Sequence, residues 1–188
     1  MTTTPGGITV PAHLQLTGSG LILREWDDGD VPAMTELFDD QAVDRWTPLR
    51  APFDQTAARA YLDQARRRRA HGARLQLAIT TDGHQPLGEI LLFPTGAGRE
   101  VELAYAVGAA YRRRHLAVRA VQLITTWAYD TLDATRVILR IPPGNSASAA
   151  VARSAGFELT TAPLVTRDGA RDPLRTWLHC RAGQPATG

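Results

Sequence analysis

Residues 100–131 read EVELAYAVGAAYRRRHLAVRAVQLITTWAYDT, and this stretch decides the fold. At its start Val101, Leu103, Tyr105 and Val107 fall on one side of an extended chain, and Glu102, Ala104 and Ala106 on the other. One face is bulky; the other is nearly bare, with a carboxylate at its end. From residue 114 the period changes. Val121, Ile124, Ala128 and Leu132 form one helical stripe, with Leu116, Ala120, Leu123 and Trp127 beside it. The pattern predicts a helix over 114–131 with an apolar face wide enough to lie on a sheet.

Between strand and helix stands Gly108-Ala109-Ala110-Tyr111-Arg112-Arg113-Arg114-His115. Strand, short loop and helix N-terminus together form an anion site, because the first helical N–H groups lack internal partners and the helix dipole adds positive potential. Arginines 112, 113 and 114 run against that dipole unless an anion neutralises them, which favours a bound phosphate over solvated loop arginines. The bare strand face is open to two readings: a closely packed helix, or a slot for a ligand running along the strand.

Working outward, 21–24 reads as a first strand, and Asp30 as the N-cap of a helix carrying Met34, Leu37 and Phe38. Asp54 caps a second helix with Ala57, Tyr61 and Ala65 on one stripe and arginines 66–69 in its last turn, where the dipole favours cations. Strands are expected at 75–80, 87–93 and 100–107 as an antiparallel meander, with Asp82-Gly83 turning between the first two. A strand at 136–141, a short helix at 145–155 ended by Gly156, and strands at 157–161 and 174–181 follow. The order β-α-α-β-β-β-α-β-α-β-β is an α/β arrangement with an antiparallel start.

The chain has 188 residues, enough for one core. At 44% hydrophobic and 21% charged it falls outside the disordered, collagen-like and disulfide-scaffold classes. All 21 basic residues are arginine, and Asn145 is the lone asparagine. Without lysine, a Schiff-base or P-loop lysine is excluded, and any phosphate must be held by arginine or backbone N–H groups. A net charge of +2 gives little whole-protein steering toward nucleic acid or anionic membrane. Arginines 66–69 and 112–114 lack a base-stacking motif beside them, which disfavours a nucleic-acid reading further. The single cysteine, Cys180, excludes an internal disulfide and a multi-cysteine zinc site. No apolar run suits a signal peptide or a spanning helix, so a cytoplasmic protein without a membrane partner is expected. The Thr/Gly/Pro-rich residues 1–19 and residues 182–188 read as flexible tails around a domain at 20–181.

Two segments together resemble the GNAT N-acetyltransferase superfamily. Arg112, Leu116 and Ala117 fit its phosphate-binding motif, and His115 departs from it, occupying a position usually held by glycine. Asn145, Ser148 and Gly156-Phe157 fit the second signature, Asn-x-x-Ser followed eight residues later by Gly-Phe. The 21–24 strand, Asp44-Arg45-Trp46 and Pro143-Gly144-Asn145 resemble most the branch that includes ribosomal-protein N-terminal acetyltransferases. The resemblance implies a single α/β domain with a mixed, mostly antiparallel, splayed sheet flanked by about four helices. It implies acetyl-CoA as co-substrate, no metal, and a primary amine as acceptor, either a protein N-terminal α-amine or a small molecule, in a monomer or homodimer.

Carried onto this chain, the resemblance assigns coenzyme contacts to Ala106, Val107, Arg112, Arg113, Arg114, His115, Leu116, Ala117 and Asn145. Glu102 resembles the general base that some members carry on this strand. A tyrosine that many members use as the acid for the departing thiolate is replaced by Ala152, which leaves Ser148 as the substitute. Trp46, Phe53 and Tyr61 become candidates for the acceptor side. The alternative from another class is a non-catalytic, GNAT-like acyl-CoA-binding sensor or interaction module, motivated by the departures at His115 and Ala152.

Overall fold

The structure, a computed structural model, describes residues 7–11, 13–167 and 170–181. In chain order it runs β1 (Gln15–Gly18), β2 (Leu21–Glu25), α1 (Val31–Phe38), α2 (Gln41–Trp46), α3 (Gln55–Ala70), β3 (Leu75–Thr80), β4 (Gly88–Pro94) and β5 (Glu100–Val107). It continues α4 (Leu116–Thr131), β6 (Arg136–Ile141), α5 (Ser146–Ser154), β7 (Glu158–Leu159) and β8 (Arg175–Cys180). The strands form one sheet in the order β1-β2-β3-β4-β5-β6-β8-β7. Every neighbouring pair is antiparallel except β5 and β6, which are parallel.

Alternation along the strands sorts the core into two layers. Leu75, Leu77, Ile79, Ile90, Leu92, Val101, Leu103, Val137 and Leu139 point to one face, where Leu116, Ala120, Val121, Ile124 and Ala128 of α4 cover them. Ala152, Ala155 and Phe157 extend that layer under α5. Removing each of the larger side chains from water contributes roughly 1.5–3 kcal/mol. On the other face Ala78 meets a smaller cluster built from Met34, Leu37 and Phe38 of α1, Val43 of α2, and Ala58 and Leu62 of α3. Gly156, at φ 88, turns the chain out of α5 toward β7, a left-handed conformation that glycine adopts without a Cβ penalty. No helix among the described residues is long and apolar enough to cross a membrane.

Two elements exceed the sequence reading. β1 lies inside the segment expected as a flexible tail: Leu16 is buried, and Gln15–Gly18 pairs with Arg24–Leu21. Residues 1–6 and 182–188 lie outside the described residues. Helix α2 is a short helix capped by Asp40, whose side chain accepts from the Ala42 and Val43 amides at 3.0 and 3.1 Å. Asp54 caps α3 as expected, accepting from Ala57 N–H at 2.9 Å. Asp30 stands at the N-cap of α1 as expected, but its side chain makes no capping bond. Its carboxylate is buried and taken by Arg24, at 2.7 and 2.8 Å, and the capping passes to Asp27, one turn earlier. The arginine of the Leu-Ile-Leu-Arg strand thereby ties β2 to the start of α1.

Candidate active site

The pairing of β5 with β6 covers four registers, Glu100 with Arg136 through Leu103 with Leu139, and then stops. Beyond that point Ala104–Val107 of one strand and Arg140–Ile141 of the other diverge, and a cavity of about 560 Å³ occupies the gap. It is lined by Glu102 to Val107, by Arg112, Arg113 and His115 to Val118, by Asn145 and Ser148, and by Trp46 on α2. Both readings of the bare strand face hold in part. Ala106 packs beside the α1–α3 cluster, while Ala104 and Ala106 also border the cavity.

At one end the cavity meets the start of α4. His115 is the N-cap residue at φ 55, and Arg113 two residues earlier is at φ 62. Two non-glycine residues in the left-handed region cost about 1–2 kcal/mol each and turn successive N–H groups into a concave cradle. No side chain caps this helix, and its first bond from a preceding carbonyl is Arg119 N–H to His115 C=O at 3.1 Å. The amides of Leu116, Ala117 and Val118 are therefore open donors beside the cavity, aligned with the dipole as an anion requires.

The three arginines divide. Arg112 is neutralised inside the protein, donating to Asp40 at 2.6 Å and to the Val107 carbonyl at 3.2 Å. Burial works against ionised Asp40, but the bonds from Arg112 and from the Val43 and Ala42 amides hold its carboxyl below the usual range. Arg113 borders the cavity; Arg114 does not. Arg112 thus acts as a clamp between α2 and the loop before α4, which corrects the reading of three arginines all awaiting an anion.

Along the slot, Asn145 caps α5 by accepting from Ser148 N–H at 3.0 Å. The cap fixes the first turn and sets Ser148 on the cavity wall. Tyr105, from β5, reaches the same turn and donates its hydroxyl to the Ser148 carbonyl at 3.3 Å. Burial pushes this phenol up to about 12. Tyr105 was legible in the sequence only as a member of the bulky strand face.

At the opposite end the expectation for Glu102 needs correction. Its side chain is 2% exposed, and Arg167 grips it with two bonds of 2.8 and 2.6 Å. Arg140 adds a third contact at 3.1 Å. Both oxygens are taken, and two guanidiniums against one carboxylate leave the spot net positive. It does not attract an ammonium and is not a free general base. Arg140 follows Ile138, the register partner of Glu102, by two residues, so it shares Glu102's face. Arg167 carries no such local signal.

Of the acceptor candidates, Trp46 borders the cavity, with the Arg45 guanidinium 4.3 Å from its ring centroid. Phe53 and Tyr61 do not. They stack edge-on with Phe38 and with each other, at centroid distances of 5.5–5.9 Å, because the α3 stripe faces α1 and the sheet. The Tyr61 hydroxyl donates to Glu89 at 2.7 Å, and Gln76 donates to the same carboxylate at 2.8 Å. Burial pushes Glu89 up to about 7, against the opposing pull of these two bonds and of Arg74. Across the cavity mouth two ion pairs with exchanged polarity join α2 to the segment before β8: Arg45 with Asp172 and Arg171 with Asp44, each at 2.7 Å.

The family profile described as "Acetyltransferase (GNAT) domain" matches residues 20–158. The chain belongs to the acetyltransferase (GNAT) family. Solved structures with the GNAT fold include Mycobacterium smegmatis RimJ in complex with CoA-disulfide, 20% identical, covering 92% of this chain and 88% of its own, with a TM-score of 0.77. RimL, a ribosomal L7/L12 alpha-N-protein acetyltransferase in complex with coenzyme A, is 17% identical over 89% of this chain and 98% of its own, with a TM-score of 0.75. The ribosomal-protein-S5-alanine acetyltransferase of Vibrio fischeri is 16% identical over 92% and 100%, with a TM-score of 0.72. At these identities the likeness is one of fold. No curated protein matches the sequence.

Proposed function

We propose that this acetyltransferase moves an acetyl group from acetyl-CoA to a primary amine, either a protein N-terminal α-amine or a small-molecule amine. The observation that carries this reading is the single cavity joining the uncapped start of α4 to the opening between β5 and β6. A diphosphate and an extended thiol arm need that combination of open donors followed by an unpaired strand edge.

The residues fit the coenzyme. The Leu116, Ala117 and Val118 amides, with Arg113 and the His115 ring, would hold the diphosphate; the backbone of Ala104–Val107 that β6 leaves unpaired, apart from the Val107 carbonyl taken by Arg112, would hold the pantetheine arm. Acetyl-CoA, when bound, supplies the thioester carbon that receives the amine. Arg140 and Arg167, net positive with Glu102, disfavour a protonated amine beside them and so raise its nucleophilic fraction. As the C–N bond forms and the C–S bond breaks, the Ser148 hydroxyl, placed by the Asn145 cap at the wall of the arm's slot, would pass its proton to the departing thiolate and take up the one the amine sheds.

Isothermal titration with acetyl-CoA tests the reading. Binding at micromolar concentration with thiol release on adding amines is expected; no binding at high micromolar coenzyme overturns it.

A further inference from the structure

Phe93 on β4 stands directly across from Glu102 on β5 on the same sheet face, and Arg167, which lines the cavity, also reaches its ring. Two guanidiniums share that ring. Arg167 lies 5.5 Å and Arg74 5.3 Å from its centroid. Arg167 is balanced by Glu102, but Arg74 has no carboxylate within 4.0 Å among the described residues and is only partly exposed. Burial and the nearby positive charges of Arg68 and Arg167 depress the Arg74 pKa, with Tyr61 and Glu89 opposing. A half-buried guanidinium held near other cations without an ion-pair partner of its own is unfavourable. On the adjoining cavity wall Arg140 and Arg167 share the single carboxylate of Glu102, so that corner also keeps an excess of positive charge.

We infer that the acceptor carries a carboxylate or phosphate beside its amine, and that Arg74, held on the Phe93 ring, receives that anionic group while the amine occupies the cavity near Glu102. This rests on the acetyltransferase reading above and narrows its acceptor to acidic amines. The guanidinium fork suits both anions, and its stacking on Phe93 holds it in place without using its N–H donors. A peptide with acidic residues after its N-terminus and a small amino acid carrying a free carboxylate present the same chemistry.

The test compares matched acceptors on the protein saturated with CoA. Tetrapeptides Ser-Asp-Asp-Ala and Ser-Asn-Asn-Ala form one arm; β-alanine and β-alaninamide form the other, and the arm that discriminates identifies the source. Calorimetry should show the acidic member of one pair binding about tenfold tighter. Arg74→Gln should abolish that advantage and Arg74→Lys keep part of it, with the melting temperature and CoA affinity of both variants reporting intact folding. Equal binding within both pairs, or an advantage that survives in Arg74→Gln, overturns the inference. Thiol release with acetyl-CoA is read separately: its absence with every amine counts against the acetyltransferase reading, while the binding comparison still decides the acceptor's charge.

Discussion

Arg167 and Glu102, 65 residues apart in sequence, meet through two parallel bonds of 2.8 and 2.6 Å at the closed end of the β5–β6 gap. The pair anchors the segment before β8 to the strand that lines the cavity. Glu102→Gln leaves Arg167 and Arg140 facing one neutral acceptor and should cost about 3 kcal/mol in urea unfolding. A cycle with Arg167→Gln should show strong coupling between the two. The acid limb of kcat/KM against pH should persist in Glu102→Gln, because the acceptor amine supplies it; loss of the limb at unchanged stability would restore Glu102 as the base.

Glu89 makes stability depend on pH. Burial lifts its folded pKa to about 7, above the ordinary carboxylate value of 4.5, so between these values the folded state binds more protons. Stability from this group is fully present below about 4.5 and declines as pH rises through about 7. Glu89→Gln keeps an acceptor for Tyr61 and removes the titration. Urea midpoints measured from pH 5 to 8 should fall in the parent and stay nearly level in the variant; parallel curves would refute the assignment.

His115 holds φ 55 where its backbone is strained. His115→Gly should gain about 0.5–1 kcal/mol of stability, the strain relieved being partly offset by the entropy of glycine. CoA affinity should fall by less than tenfold, since the amides of Leu116, Ala117 and Val118 supply most of the cradle and the ring only adds to it. A fall in affinity above tenfold would instead make the imidazole a principal phosphate ligand.

Asn145→Ala removes the α5 cap and should cost about 1 kcal/mol. Ser148 shares the capped turn, so kcat should fall further than the loss of folded protein explains, with acetyl-CoA affinity less affected. Rapid-quench measurement of the transfer step against a Ser148→Ala control separates a misplaced hydroxyl from a missing one.

The reading of residues 100–131 carried the fold because a bare-faced strand and a two-stripe helix are long, periodic and contiguous. The open amides at the start of α4 were legible for the same reason: they are consecutive. What was missed was short or distant. β1 is a four-residue strand containing Thr and Gly, and α2 has too few turns for a period to emerge. Asp30 looks like a cap in sequence, and only the fold brings Arg24 onto it. Arg167 reaches Glu102 from a loop no periodicity marks, and Phe53 and Tyr61 read as a binding surface until α1 was seen to cover them.

The four registers joining β5 to β6 give the sheet a mechanical character of its own. Five antiparallel strands on one side and three on the other act as two rigid plates, fastened along a seam of only about 13 Å. The seam lies at one end, so a small rotation about it changes the width of the far end most, where α4 and α5 begin. The Tyr105–Ser148 contact crosses that far end and sets how wide the plates stand.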